Sequence, residues 1–142
     1  MIEDAATRRA QVEKRMRKLD GLKLGITPPV FNEARGAKAT LIGWGSTYGA
    51  IREAAETLAK EGKSVNTLHL SQVWPFPTDD VIAALKKSKK NIVVEGNATA
   101  QLAALIRRET GIAADATILK YDGRPFSPKE IIERVNQEVG KW

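Results

Sequence analysis

A repeated strand, turn and helix pattern constrains the fold of this chain more than any other feature. Its first copy begins with the apolar residues 39–42, which enter a loop with glycine at positions 43, 45 and 49. A helix is predicted next, because apolar residues then recur with the spacing of one helical face, at Ile51, Ala54, Ala55 and Leu58. Ser46 or Thr47 is predicted to accept hydrogen bonds from the first amides of this helix, whose start is therefore a candidate anion site.

The same pattern recurs along the chain. Strands are predicted at residues 65–70, 91–95 and 116–121, each followed by a turn and a helical segment. Residues 30–32 are predicted to form a short strand, which a turn at Arg35 and Gly36 folds back, antiparallel, beside residues 40–42. This order favours a three-layer α/β/α domain with a mostly parallel five-stranded sheet, preceded by a basic N-terminal helix.

Two of the later helices carry start signals. Thr78 is predicted to cap the helix that follows residues 74–77, and Asp79 and Asp80 favour its N-terminal end. Residues 127–130 read Ser-Pro-Lys-Glu, which predicts a capping box with proline at the first helical position. Both signals place helix starts directly after predicted turns.

Residues 1–29 are predicted to be a helical arm and linker, set apart from an α/β domain at residues 30–142. A helix is expected at residues 5–22, where Val12, Met16 and Leu19 form a narrow apolar stripe. Because such a helix cannot bury itself alone, it is expected to lie across the domain or against a partner. Its basic residues are Arg8, Arg9, Lys14, Arg15, Arg17 and Lys18.

Composition excludes several kinds of site. The sequence has no cysteine and one histidine, which excludes disulfides and thiolate ligation of iron–sulfur clusters and argues against a zinc or Ser-His-Asp centre. No apolar run is long enough to cross a bilayer, so a cytoplasmic protein without a membrane partner is predicted. The net charge of +6 is not taken as a sign of nucleic-acid binding, because zinc-finger spacing and basic–aromatic interleaving are absent.

The loops that follow the strands are the predicted place for a ligand or a partner, because the carboxyl ends of parallel strands meet at one edge of a sheet. A dinucleotide site is not predicted, since the strand after the glycine loop ends without an acidic residue to hold a ribose. His69 in that strand is interpreted as a buried histidine held by a hydrogen bond. The loops in question are Ser46 with its neighbours and residues 72–76, 96–99 and 122–124.

Several side chains in these loops are open to two interpretations. Glu95, with Asn97 and Gln101 nearby, forms a polar group that suits either an interface or a structural role. Trp74 and Phe76 are either core residues or interface anchors, and the core is favoured.

Four stretches, taken in order, resemble one known family. They read GWGSTYGAIREA at 43–54, LHLSQVWPFP at 68–77, VVEGNATAQLAALIR at 93–107 and KYDGRPFSPKEI at 120–131. Together they are similar to the C-terminal region of the α subunit of 2-oxoacid:ferredoxin oxidoreductases, the group that oxidises pyruvate and 2-oxoglutarate. The resemblance covers roughly residues 8–135 and implies a transketolase C-terminal-like fold with a short antiparallel first strand.

In that family thiamine diphosphate is held between two other domains, which implies that this chain has no catalytic residue, no cofactor site and no metal site. The sequence agrees, since it has no Gly-Asp-Gly segment with a downstream asparagine for magnesium and diphosphate. The resemblance implies a noncatalytic domain that supports assembly of a parent complex with thiamine diphosphate, magnesium and iron–sulfur clusters. Its implied partners are the remaining domains or subunits, with ferredoxin and coenzyme A reached through an oligomeric complex.

The resemblance also assigns individual residues. The family's loop glycine and serine match residues 45–46, and its Glu-x-Asn element matches Glu95 and Asn97. The family usually has glycine before the glutamine that matches Gln101, whereas this chain has Ala100.

One face is predicted to be a protein–protein surface, buried against the thiamine-binding part of the complex. The alternative is a free-standing α/β module that binds a small anion or phosphate at Ser46 and Thr47. The predicted surface carries Tyr48, Trp74, Glu95, Asn97 and Arg124.

Overall fold

A computed structural model describes residues 4–142 of the chain. After an N-terminal helix, five strands and four further helices form the α/β domain. The helices are α1 (Ala5–Lys23), α2 (Tyr48–Lys60), α3 (Thr78–Leu85), α4 (Gln101–Thr110) and α5 (Pro128–Val139). The strands are β1 (Val30–Asn32), β2 (Ala39–Trp44), β3 (Val65–Leu70), β4 (Asn91–Glu95) and β5 (Ala116–Leu119).

The strands form one sheet in the order β1-β3-β2-β4-β5. β2 pairs in parallel with both β3 and β4, and β4 pairs in parallel with β5. β1 runs antiparallel to β3. α2 and α5 cover one face with a core that includes Leu58 and Ile131, and α3 and α4 cover the other with a core that includes Val81 and Ile106. The predicted three-layer α/β/α architecture with a mostly parallel five-stranded sheet is confirmed.

The first strand has the predicted orientation but not the predicted neighbour. β1 pairs with β3, with Val30 opposite His69, whereas it was expected beside β2. The physical reason is that five of the six residues of β2 are buried, as in a central strand whose two edges are both hydrogen bonded. Because β3 and β4 occupy those edges, β1 takes the outer side of β3, where its exposed residues suit an edge strand.

The helix starts give one confirmed and one incorrect prediction. The capping box at α5 is present: the Ser127 hydroxyl accepts from the Glu130 amide at 3.3 Å, and the Glu130 carboxylate accepts from the Ser127 amide at 2.8 Å. Thr78, by contrast, does not cap α3. It is already the first helical residue, and its hydroxyl faces the Phe76 carbonyl oxygen at 3.5 Å instead of the amides that follow.

The N-terminal helix lies open along its whole length. The Asp4 carboxylate caps it by accepting from the Thr7 amide at 2.7 Å. Hydrogen bonding to the Thr7 side chain and backbone lowers the pKa of Asp4 below its ordinary value. α1 nevertheless contains no buried residue, and Met16 in its apolar stripe is 54% exposed. The expectation that the stripe lies across the domain is therefore wrong, whereas a partner for it stays a prediction.

Candidate functional site

The carboxyl ends of β2 and β4 border a crevice between two loops. α2 leaves β2 toward one face of the sheet and α4 leaves β4 toward the other, so the two loops separate at this point. Open α/β sheets bind ligands where the connections diverge in this way. The crevice measures about 280 Å³ and is lined by Trp44, Gly45, Ser46, Thr47, Gly96, Asn97 and Gln101. The structure thus brings together five predicted site residues, namely Gly45, Ser46, Thr47, Asn97 and Gln101.

The loop from β2 to α2 is a single 3₁₀ turn at Gly45–Thr47. Gly45 has φ +56°, and Thr47 already has helical angles. The Thr47 hydroxyl points toward the end of β2 and donates to the Trp44 carbonyl oxygen at 2.9 Å. No side chain caps α2, so the capping role predicted for Ser46 or Thr47 is wrong. Anion binding at this helix start stays a prediction, without the capping contacts on which it was based.

Gly43 lets α2 approach the sheet closely at this end. A Cβ atom at Gly43 would lie 2.3 Å from Ile51 Cδ1 and 2.5 Å from Thr47 Oγ1. Real Cβ contacts are longer than this, so any larger residue would push against the first turn of α2. The glycine thus serves close packing beneath the crevice.

Glu95 fixes the start of α4 from the end of β4. Its side chain is fully buried. Oε2 accepts from the Leu102 amide at 2.7 Å and from Asn97 Nδ2 at 2.8 Å, and Oε1 accepts from the Ala103 amide at 3.0 Å. Asn97 Oδ1 accepts in turn from the Gln101 amide at 3.3 Å. Because the Ala104 amide donates to the Ala100 carbonyl, every amide of the first helical turn has a partner.

Ala100, directly before α4, has an unusual backbone conformation. Its φ of 52° and ψ of 50° lie in the left-handed region, where it is the one residue other than glycine with positive φ among those described. Glycine adopts this conformation without a Cβ clash, whereas alanine does not. This backbone conformation favours glycine, the residue that the resemblance implied at this position.

Tyr48 lies at the start of α2 and packs against His69 of β3. The ring centroids are 4.6 Å apart with an interplanar angle of 52°, and the Arg52 guanidinium carbon lies 5.7 Å from the Tyr48 centroid. His69 Nδ1 is buried and has no hydrogen-bond partner among the described residues, and burial lowers the pKa of His69. The prediction of a buried histidine held by a hydrogen bond is therefore wrong, because the residue as a whole is half-buried and its buried nitrogen makes no hydrogen bond within residues 4–142.

Trp74 and Phe76 differ in their environment. Phe76 is buried in the core beneath α3 and α4, as favoured from the sequence. Trp74 is 55% exposed, so the core interpretation is wrong for this residue. The Arg108 guanidinium carbon lies 5.5 Å from the centroid of a Trp74 ring, which is a cation–π distance.

An apolar groove of about 490 Å³ continues from the crevice and shares Trp44 and Gln101 with it. This groove was not predicted from the sequence. Gln101, Leu105 and Arg108 have the i, i+4, i+7 spacing of one helical face. This spacing could have indicated that the three side chains line one surface. The groove is lined by Trp44, Val73, Thr99, Gln101, Leu102, Ala104, Leu105 and Arg108.

Arg124 lies in the turn after β5 and does not line the crevice. Its amide donates to Asp122 Oδ1 at 3.0 Å. Lys120 is paired with Glu130 and with Asp122, and this pairing raises the pKa of Lys120. The Lys120 and Ser127 hydrogen bonds lower the pKa of Glu130 to about 2. These contacts fasten the turn to α5, and the interface role of Arg124 stays a prediction.

Residues 4–142 contain neither a cluster of metal-ligating side chains nor a membrane-spanning helix. Within this part of the chain, no group of three or more histidine, aspartate or glutamate side chains is placed to hold a metal ion. In the same residues, no helix has both the length and the apolar character needed to cross a membrane.

Comparison with known proteins gives consistent matches. Residues 37–135 match the family described as pyruvate:ferredoxin oxidoreductase core domain II. The chain is 33% identical over 138 residues to 2-oxoacid:ferredoxin oxidoreductase 2, subunit alpha, of Aeropyrum pernix, covering 95% of this chain and 22% of that subunit. The alpha chain of a probable 2-oxoacid ferredoxin oxidoreductase from Thermoplasma acidophilum is 38% identical, with a TM-score of 0.57 over 80% of this chain and 98% of that one.

A larger solved enzyme matches nearly the whole chain. The 2-oxoglutarate:ferredoxin oxidoreductase of Magnetococcus marinus, solved with 2-oxoglutarate, coenzyme A and succinyl-CoA bound, is 32% identical with a TM-score of 0.87, covering 97% of this chain and 24% of that one. Solved transketolases share the fold at 13% identity and a TM-score of 0.62. The chain thus spans about a quarter or less of the oxidoreductase chains from A. pernix and M. marinus. It belongs to the family of pyruvate:ferredoxin oxidoreductase core domain II, the transketolase C-terminal-like region of 2-oxoacid:ferredoxin oxidoreductase α subunits.

Proposed function

We propose that this chain is a noncatalytic domain that supports assembly of a thiamine-diphosphate-dependent 2-oxoacid:ferredoxin oxidoreductase. The observation that carries the proposal is the match of residues 37–135 to core domain II, in a chain that corresponds to 22% of a related α subunit. The parent complex would oxidatively decarboxylate a 2-oxoacid to an acyl-CoA and pass electrons through iron–sulfur clusters to ferredoxin. Other domains would hold thiamine diphosphate and magnesium.

The hydrogen bonds of the polar side chains at the strand ends support a structural role for this chain. A catalytic carboxylate must reach its substrate, but Glu95 is fully buried and its two oxygens already accept three hydrogen bonds within the chain. The Thr47 hydroxyl is likewise engaged with the backbone of Trp44. The polar groups most suited to catalysis are therefore used to hold the loops in place.

The exposed side chains at this end of the sheet support an interface role. Trp74 is 55% exposed beside Arg108, and Tyr48 is 39% exposed beside Arg52. Exposed aromatic residues next to arginines are enriched at the centres of protein interfaces. Glu95, which was predicted to belong to this surface, is fully buried and cannot contribute to it. We define the carboxyl-end face as the remaining predicted residues, Tyr48, Trp74, Asn97 and Arg124, together with Gln101 of the crevice, and we propose that it packs against the thiamine-binding part of the parent enzyme.

The same proposal divides the chain into two parts. Residues 30–142 would be the packed domain and residues 1–29 an arm and linker. The domain carries both apolar cores, whereas α1 buries none of its residues. Contacts across the boundary are few, as at a domain border, with a hydrogen bond from the Thr27 amide to Gln72 Oε1 at 2.7 Å.

Alanine substitution tests the interface. Trp74→Ala, Tyr48→Ala and Arg124→Ala are each compared with wild type for urea stability and for affinity toward the remaining domains and subunits of the parent enzyme, measured by calorimetry. We expect normal folding and a loss of affinity of about 2 kcal/mol, or about thirtyfold, for at least one aromatic anchor. Lys60→Ala, at the exposed far end of α2, is the control. Unchanged affinity in all three variants would show that this face is not the interface.

A further inference from the structure

The apolar groove beside α4 is already formed in the isolated chain. α4 contributes Leu102 and Leu105 to its lining, β2 contributes Trp44, and the loop after β3 contributes Val73. The Leu102 side chain is buried, and its amide donates to the Glu95 carboxylate at 2.7 Å, which holds the start of α4 in place. A surface that is fixed before binding loses little conformational freedom when a partner occupies it.

The groove lies next to the carboxyl-end face. Gln101 belongs to both, and Arg108, which also lines the groove, contacts Trp74 of that face. A partner that packs on the carboxyl-end face therefore covers the groove as well. Protein interfaces are packed as densely as protein interiors at their centres. Because a cavity of about 15 Å³ can already hold a water molecule, a groove of 490 Å³ left empty would trap many waters against apolar side chains. A side chain of the partner is needed to fill it.

Arg108 places a second requirement on the partner. Its side chain is 64% exposed, and its one ion pair joins Nε to Glu109 Oε1 at 2.8 Å among the residues that the structure describes. The two terminal nitrogens of the guanidinium make no hydrogen bond within residues 4–142. A cation that is removed from water must gain hydrogen-bonded partners, and the guanidinium fork matches a carboxylate with two parallel bonds. The partner therefore has to bring an acidic group to this position.

We propose that a segment of the thiamine-binding part of the parent enzyme places an apolar side chain in this groove and a carboxylate on Arg108. The inference rests on the proposed function, because it specifies what the partner of the carboxyl-end face brings to one site. In the M. marinus relative, the region that matches this chain is 24% of the whole chain, so most of such a chain lies outside the matching region.

Filling the groove tests the apolar contact. Ala104 lines the groove and is exposed, so Ala104→Phe occupies the space meant for the partner. Affinity of the full chain for the remaining domains and subunits of the parent enzyme is measured by calorimetry at about 0.15 M salt. We expect the dissociation constant to rise about tenfold or more. Ala83→Phe, exposed on α3 and outside the groove, is the control and should change it less than about threefold. Urea unfolding checks that both variants fold.

Two substitutions of Arg108 test the carboxylate. Arg108→Gln and Arg108→Glu both lose the contact with Trp74, so a difference between them reports a negative charge on the partner. We expect Arg108→Glu to bind about tenfold more weakly than Arg108→Gln, or weaker still. Arg107→Gln and Arg107→Glu make the same changes at a residue that does not line the groove. Those two should differ less than about threefold, because salt screens charges that are not in contact.

The outcomes separate this inference from the proposed function. If Trp74→Ala weakens binding but Ala104→Phe does not, the carboxyl-end face is an interface and the partner leaves the groove empty, which overturns the inference alone. Equal affinities of the two Arg108 variants would overturn the carboxylate contact. If the wild-type chain does not bind the remaining domains and subunits at all, both the proposed function and this inference are wrong.

Discussion

Replacing Glu95 by glutamine tests whether the last residue of β4 fixes the start of α4. The buried carboxylate accepts from the amides of Leu102 and Ala103 and from the side chain of Asn97, at 2.7 to 3.0 Å. Glutamine has nearly the same shape but offers one acceptor oxygen in place of two. Its amide nitrogen must then face a backbone N–H group, so at least one buried donor loses its partner.

The expected loss follows from these contacts. A hydrogen bond to a charged group contributes about 1.5 to 3 kcal/mol, and an anion at a partly buried helix start contributes up to about 2 kcal/mol. Removal of the buried charge returns part of its desolvation cost. We therefore expect Glu95→Gln to lower the free energy of unfolding by about 3 kcal/mol, a large part of the roughly 5 to 15 kcal/mol that stabilises a domain.

Urea unfolding followed by circular dichroism measures this loss. With an m value of about 2 kcal/mol per molar urea, the midpoint should fall by about 1.5 M. Glu53→Gln makes the same chemical change at an exposed position of α2 and should alter stability by less than about 0.5 kcal/mol. Equal midpoints for the two variants would refute the anchoring role of Glu95.

Three further changes test local features by the same urea assay. Ala100→Gly should stabilise the chain by about 1 kcal/mol, since it relieves a left-handed alanine, and no gain would contradict that backbone conformation. Gly43→Ala should destabilise the chain by about 1 to 3 kcal/mol, because the added Cβ meets Ile51 Cδ1 at 2.3 Å. Wild-type stability of this variant would mean that α2 can shift away from the added Cβ without cost. The pKa of Glu130 is lowered to about 2 from 4.5, so the stability it contributes is present above pH 4.5 and is lost as the pH falls toward 2. Glu130→Gln, which also loses the charge paired with Lys120, should flatten this acid-side decline, and an unchanged decline would contradict the pairing.

Local sequence patterns were sufficient to predict most elements of the fold. β3 and β4 have the predicted bounds, because each is a short segment with buried apolar residues between turn residues. The neighbour of β1 was not predictable in the same way. A three-residue strand can lie beside any apolar strand within reach, and the choice between β2 and β3 depends on which edge the parallel strands leave open.

The candidate site was predictable in position but not in its contacts. Topology alone places Ser46 and Asn97 at one crevice, since both follow strands at the same edge of the sheet. The role of Glu95 depends on where the loop after β4 places the first amides of α4. Sequence spacing does not predict that placement. Trp74 was misplaced because an aromatic residue beside a proline fits a core and a surface equally well by pattern.

The position of β1 at the sheet edge also affects how the chain folds and how it responds to force. β1 pairs with the sheet through β3 alone, and its partner residue His69 lies 39 positions after Val30. We therefore expect this strand to form last and to open first in hydrogen exchange. Because the arm enters the domain through β1, tension applied to the arm would first separate β1 from β3 and pull Phe31 away from the core beneath α3 and α4.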